Sequence, residues 1–464
     1  MNNSEQVYLG KGVNIFEIEA YQPPSGEQII DLEKLPMTPT EDRSSKVEYT
    51  YGDSFAEFIK NIAIEAGVGG SYEGFTASLN FDLEKDSFNS TTKKFLRLYT
   101  AAATTEHSIG TNKKELKKHL SLRFKQALND KIDPIELLTT FGTHVVVKAK
   151  TGGMTEYYYT SKETTDVNKE KMKEEAEAHY NTLGASADSK QGLKSDKKVT
   201  EKKYDISTKL IVYGGTKETR NLLRNGTEGG FDKWVDTIDE SPAFLGFPDH
   251  GLLPIWELVE DKDKQVELQL AFKKMAAKEF TVRVFSFTSE SSVRPDAQVS
   301  VPDDYKLLSG GAIDDGSKRG NLLTASFPES NNTWRAMGKD QGKKQAGILT
   351  VYALALHDPH DVWETKVFKD KSSVAESHPN MEKTVKVGYK MVGGGAQVHW
   401  SGHGNLLTAS YPKEDKKTDE KTWEAKSKDH LVDDPATITA YAVGLKSAIE
   451  KKENEKENEK ENGI

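Results

Sequence analysis

The last third of the chain repeats itself. Tyr305-Lys306-Leu307-Leu308-Ser309-Gly310-Gly311-Ala312 recurs 84 residues on as Tyr389-Lys390-Met391-Val392-Gly393-Gly394-Gly395-Ala396, and Gly320-Asn321-Leu322-Leu323-Thr324-Ala325-Ser326 returns at the same shift as Gly404-Asn405-Leu406-Leu407-Thr408-Ala409-Ser410. After an insertion of five residues, Trp334, Asp340, Thr350 and Tyr352 correspond to Trp423, Asp429, Thr439 and Tyr441, 89 residues on. Self-similarity at a fixed period marks one structural unit used twice. Both copies are short apolar runs between Gly, Asn, Asp and Pro, and each ends in alternation, so each reads as a small antiparallel sheet. Two such sheets, with a third drawn from Phe280 to Val299 and His357 to Val387, are expected to close a β-prism-like domain over residues 301–446.

Composition narrows the function classes. The 464 residues hold no run approaching the roughly 18 apolar residues of a membrane-spanning helix. A net charge of −9 with both signs interspersed offers no basic face for a polynucleotide, so no nucleic-acid partner is expected. With no cysteine, disulfide scaffolds, thiolate metal sites and cysteine nucleophiles are excluded together. There is no nucleophile elbow, P-loop, HExxH or dinucleotide fingerprint, and no enzyme activity is expected. The start, Met1-Asn2-Asn3-Ser4-Glu5-Gln6, lacks a basic region followed by an apolar core and so shows no signal peptide. Lys451 to Asn462 carries no apolar residue and is expected to be a disordered tail within 447–464.

Residues 1–285 read as one domain of mixed α+β character, followed by a Ser/Thr/Pro/Asp linker at 286–300. A helix is expected over Lys262 to Phe280. Ile62, Ile64, Ala66, Val68 and Tyr72 fall on one face of a strand; after Gly74 the phase flips, and Phe75, Ala77, Leu79, Phe81 and Leu83 alternate strictly with polar residues. That pattern suits a half-buried strand of an ordinary sheet, and equally a tilted transmembrane strand of about 9 to 11 residues. A second long segment, Thr160 to Asp205, is charged throughout, with a solvated helix over Lys169 to Tyr180 and alternation clearest at Leu183, Ala185 and Ala187.

Between these segments lies Phe141-Gly142-Thr143-His144-Val145-Val146-Val147-Lys148-Ala149-Lys150-Thr151-Gly152-Gly153. It resembles the signature of the membrane attack complex/perforin (MACPF) superfamily, with Phe141 where Tyr or Trp is usual and Val145 where an aromatic is usual. Tyr213-Gly214-Gly215 stands at the family's second glycine pair. Phe231-Asp232-Lys233-Trp234-Val235 through Leu252-Leu253-Pro254-Ile255 resembles its closing segment, and Leu9 to Asn14 its first strand. The resemblance implies a bent antiparallel sheet flanked by two helical clusters that unfurl into two amphipathic β-hairpins, from about Phe55 to Leu98 and Thr160 to Lys209, in a ring-shaped pore. In that context Phe75, Ala77, Leu79, Phe81, Leu83, Leu183, Ala185 and Ala187 are the membrane-inserting candidates. Gly152, Gly153, Gly214 and Gly215 are the candidate hinge, since an opening sheet needs positions tolerant of unusual backbone angles; two ordinary β-bulges would use the same glycines.

A repeated β domain behind such a domain resembles bacterial MACPF proteins related to insecticidal toxins, which implies recognition of a lipid or glycan receptor on the target cell. Trp334 and Trp423, with Asp340 and Asp429, are candidate sugar-stacking sites or core residues of their sheets. Asp314, Asp315, His399, Trp400 and His403 lie in equivalent loops that differ between copies, where recognition usually resides. His144 reads as a hydrogen-bonded, largely buried histidine. His357, Asp358, His360 and Asp361 read as an exposed polar turn, and calcium is conceivable at the Asp-rich loops although no EF-hand spacing is present. The expected protein is secreted, monomeric in solution, and a ring-forming homo-oligomer on the target membrane. The alternative is a non-lytic membrane- or glycan-binding protein, favoured by the charged second arm, because Lys or Arg facing lipid at the midplane costs roughly 2 to 4 kcal/mol.

Overall fold

A computed structural model describes residues 8–18, 21–53, 55–66, 93–110, 112–130, 132–162, 169–182, 207–315, 321–340, 344–415 and 420–449. The chain divides into two units, Met1–Phe272 and Lys273–Ile464.

In the N-terminal unit β1 (Gly12–Val13), β2 (Met37–Asp42), β3 (Lys46–Gly52) and α1 (Phe55–Glu65) precede the 17-residue β4 (Lys93–Ile109). Three short helices follow, α2 (Lys113–Lys118), α3 (Leu122–Asn129) and α4 (Pro134–Phe141), then β5 (His144–Val146) and the 15-residue β6 (Lys148–Lys162). The remainder is α5 (Lys169–Thr182), β7 (Ser207–Tyr213), α6 (Lys217–Arg224), α7 (Gly230–Val235), β8 (Ala243–Gly246), β9 (Leu252–Pro254) and α8 (Lys262–Ala276). The main sheet runs β2-β4-β6-β7, all antiparallel, with β3 beside the first half of β4 and β8 beside the start of β6. A small sheet, β1-β5-β9, holds the ends of the unit together.

Both faces of the main sheet are covered, and the period-2 alternation of a strand decides which residues go where. Leu96 and Leu98 of β4 and Tyr157 and Tyr159 of β6 face α5, whose Met172, Ala176 and Tyr180 are spaced four apart and fully buried. On the opposite face Phe95 stacks on Phe58 of α1, with ring centroids 5.7 Å apart. The expected solvated helix over Lys169 to Tyr180 is therefore solvated on one side only. The expected strand through Ile62, Ile64 and Ala66 is a helix and its end. Phe58, Ile59, Ile62, Ala63 and Ala66 recur at helical spacing and are buried, while Ile64, two residues from Ile62, is 53% exposed.

The C-terminal unit is all strands over the repeat. Its first six are β10 (Val282–Thr288), β11 (Asp296–Ser300), β12 (Tyr305–Asp314), β13 (Asn321–Pro328), β14 (Thr333–Asp340) and β15 (Leu349–His357). The second six are β16 (Trp363–Lys371), β17 (Asn380–Thr384), β18 (Lys390–His399), β19 (Asn405–Asp415), β20 (Glu420–Asp429) and β21 (Thr437–Ser447). The first copy forms two three-stranded arrays, β10-β15-β12 and β11-β14-β13; the second repeats them as β16-β21-β18 and β17-β20-β19. A short pairing of β13 with β18, Ala325 opposite Gln397 and Ser326 opposite Ala396, fuses one array from each copy into a six-stranded sheet.

Two expectations change accordingly. The linker at 286–300 is not a linker: β10 and β11 occupy most of it as edge strands of the first copy, their Ser and Thr lying on exposed edge positions. Nor do Phe280–Val299 and His357–Val387 build a third sheet. Each supplies two edge strands to its own copy, so the repeat is six strands long and begins before Tyr305. The turn after β15 is structured rather than merely exposed. Asp358 is buried and accepts from the amides of Val362 (2.9 Å) and Trp363 (3.0 Å), and Lys306 reaches Asp361 at 2.7 Å.

Burial, with His357 and Lys273 beside it, pushes His360 in this turn down to about 4. The unfolded chain, with histidine near 6.5, binds a proton that the folded chain rejects. The stabilisation is thus complete above about pH 6.5 and is lost as the pH falls through about 4. His360→Gln is expected to flatten this decline, measured as denaturant midpoints at pH 7, 5.5 and 4; an unchanged slope refutes the assignment.

Candidate functional site

The segment 141–153 is held by backbone geometry. Asp133 caps α4 through the amides of Ile135 (2.9 Å) and Glu136 (3.2 Å), Pro134 opens the helix, and Gly142 ends it at φ +89°. A Cβ at Gly142 would fall 2.4 Å from the Val13 nitrogen, so only glycine lets α4 pass β1 this closely. Fully buried Thr143 then ties the segments: its hydroxyl accepts from the Ile15 amide (3.1 Å) and donates to the Val13 carbonyl (3.3 Å). His144 is half-buried, within 3.0 Å of the Thr143 hydroxyl, and edge-on to Trp256 and Phe272. Phe141 is buried edge-on to Phe124. These four residues brace the junction of α4, β1 and β5.

Gly152, Gly153, Gly214 and Gly215 meet around one tryptophan. The β4–β6 ladder slips between Ala102 and Thr105, with Ala103 at φ +46° and Gly152 opposite the slip at φ +146°. A bulge of this kind kinks the strand that carries it. Gly214 and Gly215, at φ +71° and +72°, end β7 against the same place; a Cβ on Gly214 would fall 2.5 Å from the Gly152 carbonyl oxygen. Trp234 is fully buried, donates Nε1 to the Gly214 carbonyl at 3.0 Å, and occupies the space that side chains on Gly153 and Gly215 would need. The four glycines and the bulge are one contiguous site.

Farther along β4 sits a charge that sequence reasoning missed. Arg97 is 2% exposed; its guanidinium meets Glu156 of β6 at 2.5 Å and Glu65, the last residue of α1, at 2.6 Å. Tyr21 donates its hydroxyl to Glu156 (2.9 Å) and accepts from Arg97 (2.9 Å), while Thr50 of β3 donates to Glu65 at 2.7 Å. Burial alone would drive Arg97 down, but Glu156, the neighbouring tyrosines and Glu65 outweigh it, so the guanidinium stays firmly charged. The signal was present: Arg97 interrupts Phe95-Leu96-x-Leu98, and Glu156 precedes three tyrosines, which are poor places for lone charges. The network ties α1 to the sheet.

The arms themselves lie largely elsewhere. Phe75, Ala77, Leu79, Phe81, Leu83, Leu183, Ala185 and Ala187 fall outside the described residues. Their attachment points do not. β3 and β4 are hydrogen-bonded antiparallel neighbours to the pair Gly52–Phe95, and β6 and β7 to the pair Thr160–Ser207.

In the C-terminal unit the two repeated tryptophans each pack on a glycine of their own copy. Trp334 is 1% exposed, lies over Gly310 and donates Nε1 to the Ser326 hydroxyl at 3.0 Å, so it cannot stack on a ligand. Trp423 repeats the arrangement over Gly394 with Ser410 at 2.8 Å and is half-buried. Asp340 is buried, and Asp429 accepts from Asn405 Nδ2 at 2.9 Å. His399 is half-buried, 2.8 Å from the Thr439 hydroxyl and lowered by burial and Lys371; His403 is exposed in the following turn. That turn wraps a carboxylate. Asp434 accepts from the amides of Gly402 (2.8 Å), Gly404 (3.0 Å) and Asn405 (3.1 Å) and faces the buried Lys339 at 3.6 Å, whose ammonium also covers the Trp400 ring at 4.2 Å. Burial acts to raise Asp434, but the amide donors and Lys339 hold it below the usual carboxylate range. Lys339 comes from the first copy and the turn from the second, so the two repeats meet at Trp400. Asp315 is exposed, Asp314 half-buried. Among the described residues no three His, Cys, Asp or Glu side chains gather as metal ligands.

The MAC/Perforin domain family matches residues 5–278. Among solved structures, GNIP1Aa from Chromobacterium piscinae is similar in fold, with a TM-score of 0.50 and 16% identity over 83% of this chain and 77% of that one. A putative cell invasion protein with a MAC/Perforin domain from Bacteroides thetaiotaomicron matches at TM-score 0.41 and 14% identity, over 61% of this chain and 64% of that one. Astrotactin-2, a vertebrate perforin-like membrane protein, matches at 0.35 and 9% identity, over 75% and 66% of the two chains. No curated protein matches. With residues 5–278, more than half of its length, covered by that family, the chain belongs to the MAC/Perforin (MACPF) family.

Proposed function

We propose that this protein permeabilises a target membrane. A secreted monomer docks through the loop ends of residues 301–446 on a lipid or glycan receptor, assembles into a ring, and converts two arms per subunit into β-hairpins. One observation carries this reading: each arm is inserted between two strands that are already antiparallel neighbours, ending at Gly52–Phe95 and at Thr160–Ser207. Straightening an arm therefore lengthens an existing hairpin and needs no change in topology. Each arm supplies roughly twenty residues per strand, about twice the 9–11 that a tilted transmembrane strand needs. No helix among the described residues is long and apolar enough to cross a bilayer, but strands in a closed barrel satisfy every backbone group between themselves.

Two parts of the site acquire roles. Glu65 must leave Arg97 before α1 can unwind, so the Arg97 network is the latch of the first arm. The bulge and glycine cluster under Trp234 is where the sheet can change curvature, because its backbone already holds angles that side chains resist.

Release of dye from liposomes and from a panel of insect, bacterial and mammalian cells, with negative-stain microscopy of the same membranes, tests the function. Rings with release are expected; tight binding without either supports the non-lytic alternative and overturns the proposal. A cysteine pair joining α5 to β6, the chain having no cysteine of its own, is expected to block release until it is reduced while leaving surface binding intact. Glu65→Gln keeps the Thr50 contact but removes the charge opposite Arg97, and is expected to accelerate release at fixed protein concentration. Unaltered kinetics with an unaltered fold would show that the latch plays no part. Gly215→Val is expected to cost about 1–3 kcal/mol of stability in the N-terminal unit, read from denaturant unfolding, since its φ of +72° and contact with Trp234 both exclude a side chain.

A further inference from the structure

Asp314, at the end of β12, has both carboxylate oxygens buried without a hydrogen-bond donor, and Asn321, at the start of β13 and 4% exposed, has its Oδ1 in the same condition. The amide orientation of Asn321 is fixed, because Nδ2 donates to two carbonyls, Val293 (3.1 Å) and Gln345 (3.3 Å), and turning it over would set an oxygen against both. The unpaired oxygens converge on space left by two glycines. A Cβ on Gly338 would fall 2.6 Å from Asn321 Oδ1 and 3.2 Å from Asp314 Oδ2; one on Gly347 would fall 2.9 Å from Asp314 Oδ1. Buried acceptors without donors are costly, and three facing one small void need a positive species rather than another acceptor.

The second copy of the repeat is an internal control. Asn405 stands at the place of Asn321, but Val398 replaces Asp314, Ser427 replaces Gly338 and Ala436 replaces Gly347. The equivalence is structural as well as sequential: Gly347 bridges Ser292 as Ala436 bridges Glu376, and Asn321 lies opposite Asp340 as Asn405 lies opposite Asp429. There Asn405 Nδ2 donates to Asp429 and its Oδ1 is likewise buried without a donor, but no carboxylate stands at the place of Asp314 and side chains stand at the places of Gly338 and Gly347. The same scaffold thus carries a serine and an alanine in one copy and, in the other, two glycines and an added carboxylate. Lys339, next to Asp340, does not neutralise the first site, being turned to Asp434 and Trp400. Exposed Asp315 adds negative charge at its mouth, and burial together with Asp315 raises Asp314.

We propose that Asp314 and Asn321 bind a hard divalent cation, calcium by the all-oxygen donor set, in the cradle left by Gly338 and Gly347. Asp340 and Asp315 supply the surrounding negative charge, and water completes the shell of six to eight oxygens that calcium takes. The site would rigidify the β12–β13 end of the unit. This inference does not rest on pore formation.

The test uses the full chain, treated with EDTA and exchanged into metal-free buffer, titrated with calcium and with magnesium by calorimetry and followed by thermal unfolding. One calcium per chain and a rise in Tm at about 1 mM calcium are expected, with magnesium weaker. Asp314→Asn should abolish the calcium-dependent rise and raise the Tm in EDTA, because it removes an unpaired buried charge. Gly347→Ala copies the side chain that the second repeat tolerates at the equivalent position; it should fold, and it too should lose the calcium response. Failure of the wild-type chain to take up calcium at millimolar concentration, or a response that survives both substitutions, overturns the proposal.

Discussion

The pairing of β4 with β6 is the constraint on which the N-terminal unit depends. These strands run opposite one another from Lys93–Lys162 to Ser108–Lys148, and β2, β3, β7, β8, α1 and α5 are all placed by their faces or edges. Their even and odd positions separate the α5 side from the α1 side, β3 and β7 add to their edges, and the bulge at Ala102–Thr105 marks where the ladder loses register. A charged triad is tolerated in the middle of this sheet because each partner is supplied by a different element: Arg97 by β4, Glu156 by β6 and Glu65 by α1. A buried pair of this kind is weak as a source of stability but costs several kcal/mol if one partner departs, which makes it sensitive to the position of α1.

The site has two mechanical parts with opposite chemistry. Around Trp234 the contacts are steric: glycines allow close approach and one indole fills what they leave. Around Arg97 they are electrostatic and directional. The first resists substitution by size and the second by charge, so the two can be perturbed separately. In the C-terminal unit the same division recurs. Trp334 and Trp423 fill the space above Gly310 and Gly394, whereas the loop ends are organised by Asp434 and Lys339, a charge pair contributed by the two different copies.

Much of this was legible in the residues. The signature from Phe141 to Gly153, the glycine pairs and the 84-residue repeat all depend on local identity, and the family and the doubled β architecture followed from them. Two of the readings that failed did so for a common reason. The strand assigned to Ile62–Ala66 is a helix, and the 286–300 linker carries parts of β10 and β11. In both a short segment is compatible with two structures, and its partner, whether Phe95 or β15, lies far away in sequence.

Sequence alone thus determined which residues have no choice: glycines at positive φ, and an α4 capped by Asp133, opened by Pro134 and ended by Gly142. Tertiary structure alone decided which residues meet. Arg97 finds Glu65 and Glu156, Lys339 finds Asp434 from the other repeat, and Asp314 finds Asn321 over two glycines. Backbone conformation is set by sterics within a few residues, whereas a buried charge is compensated by whatever group the fold brings within a few ångströms, and nothing in the local sequence specifies that group.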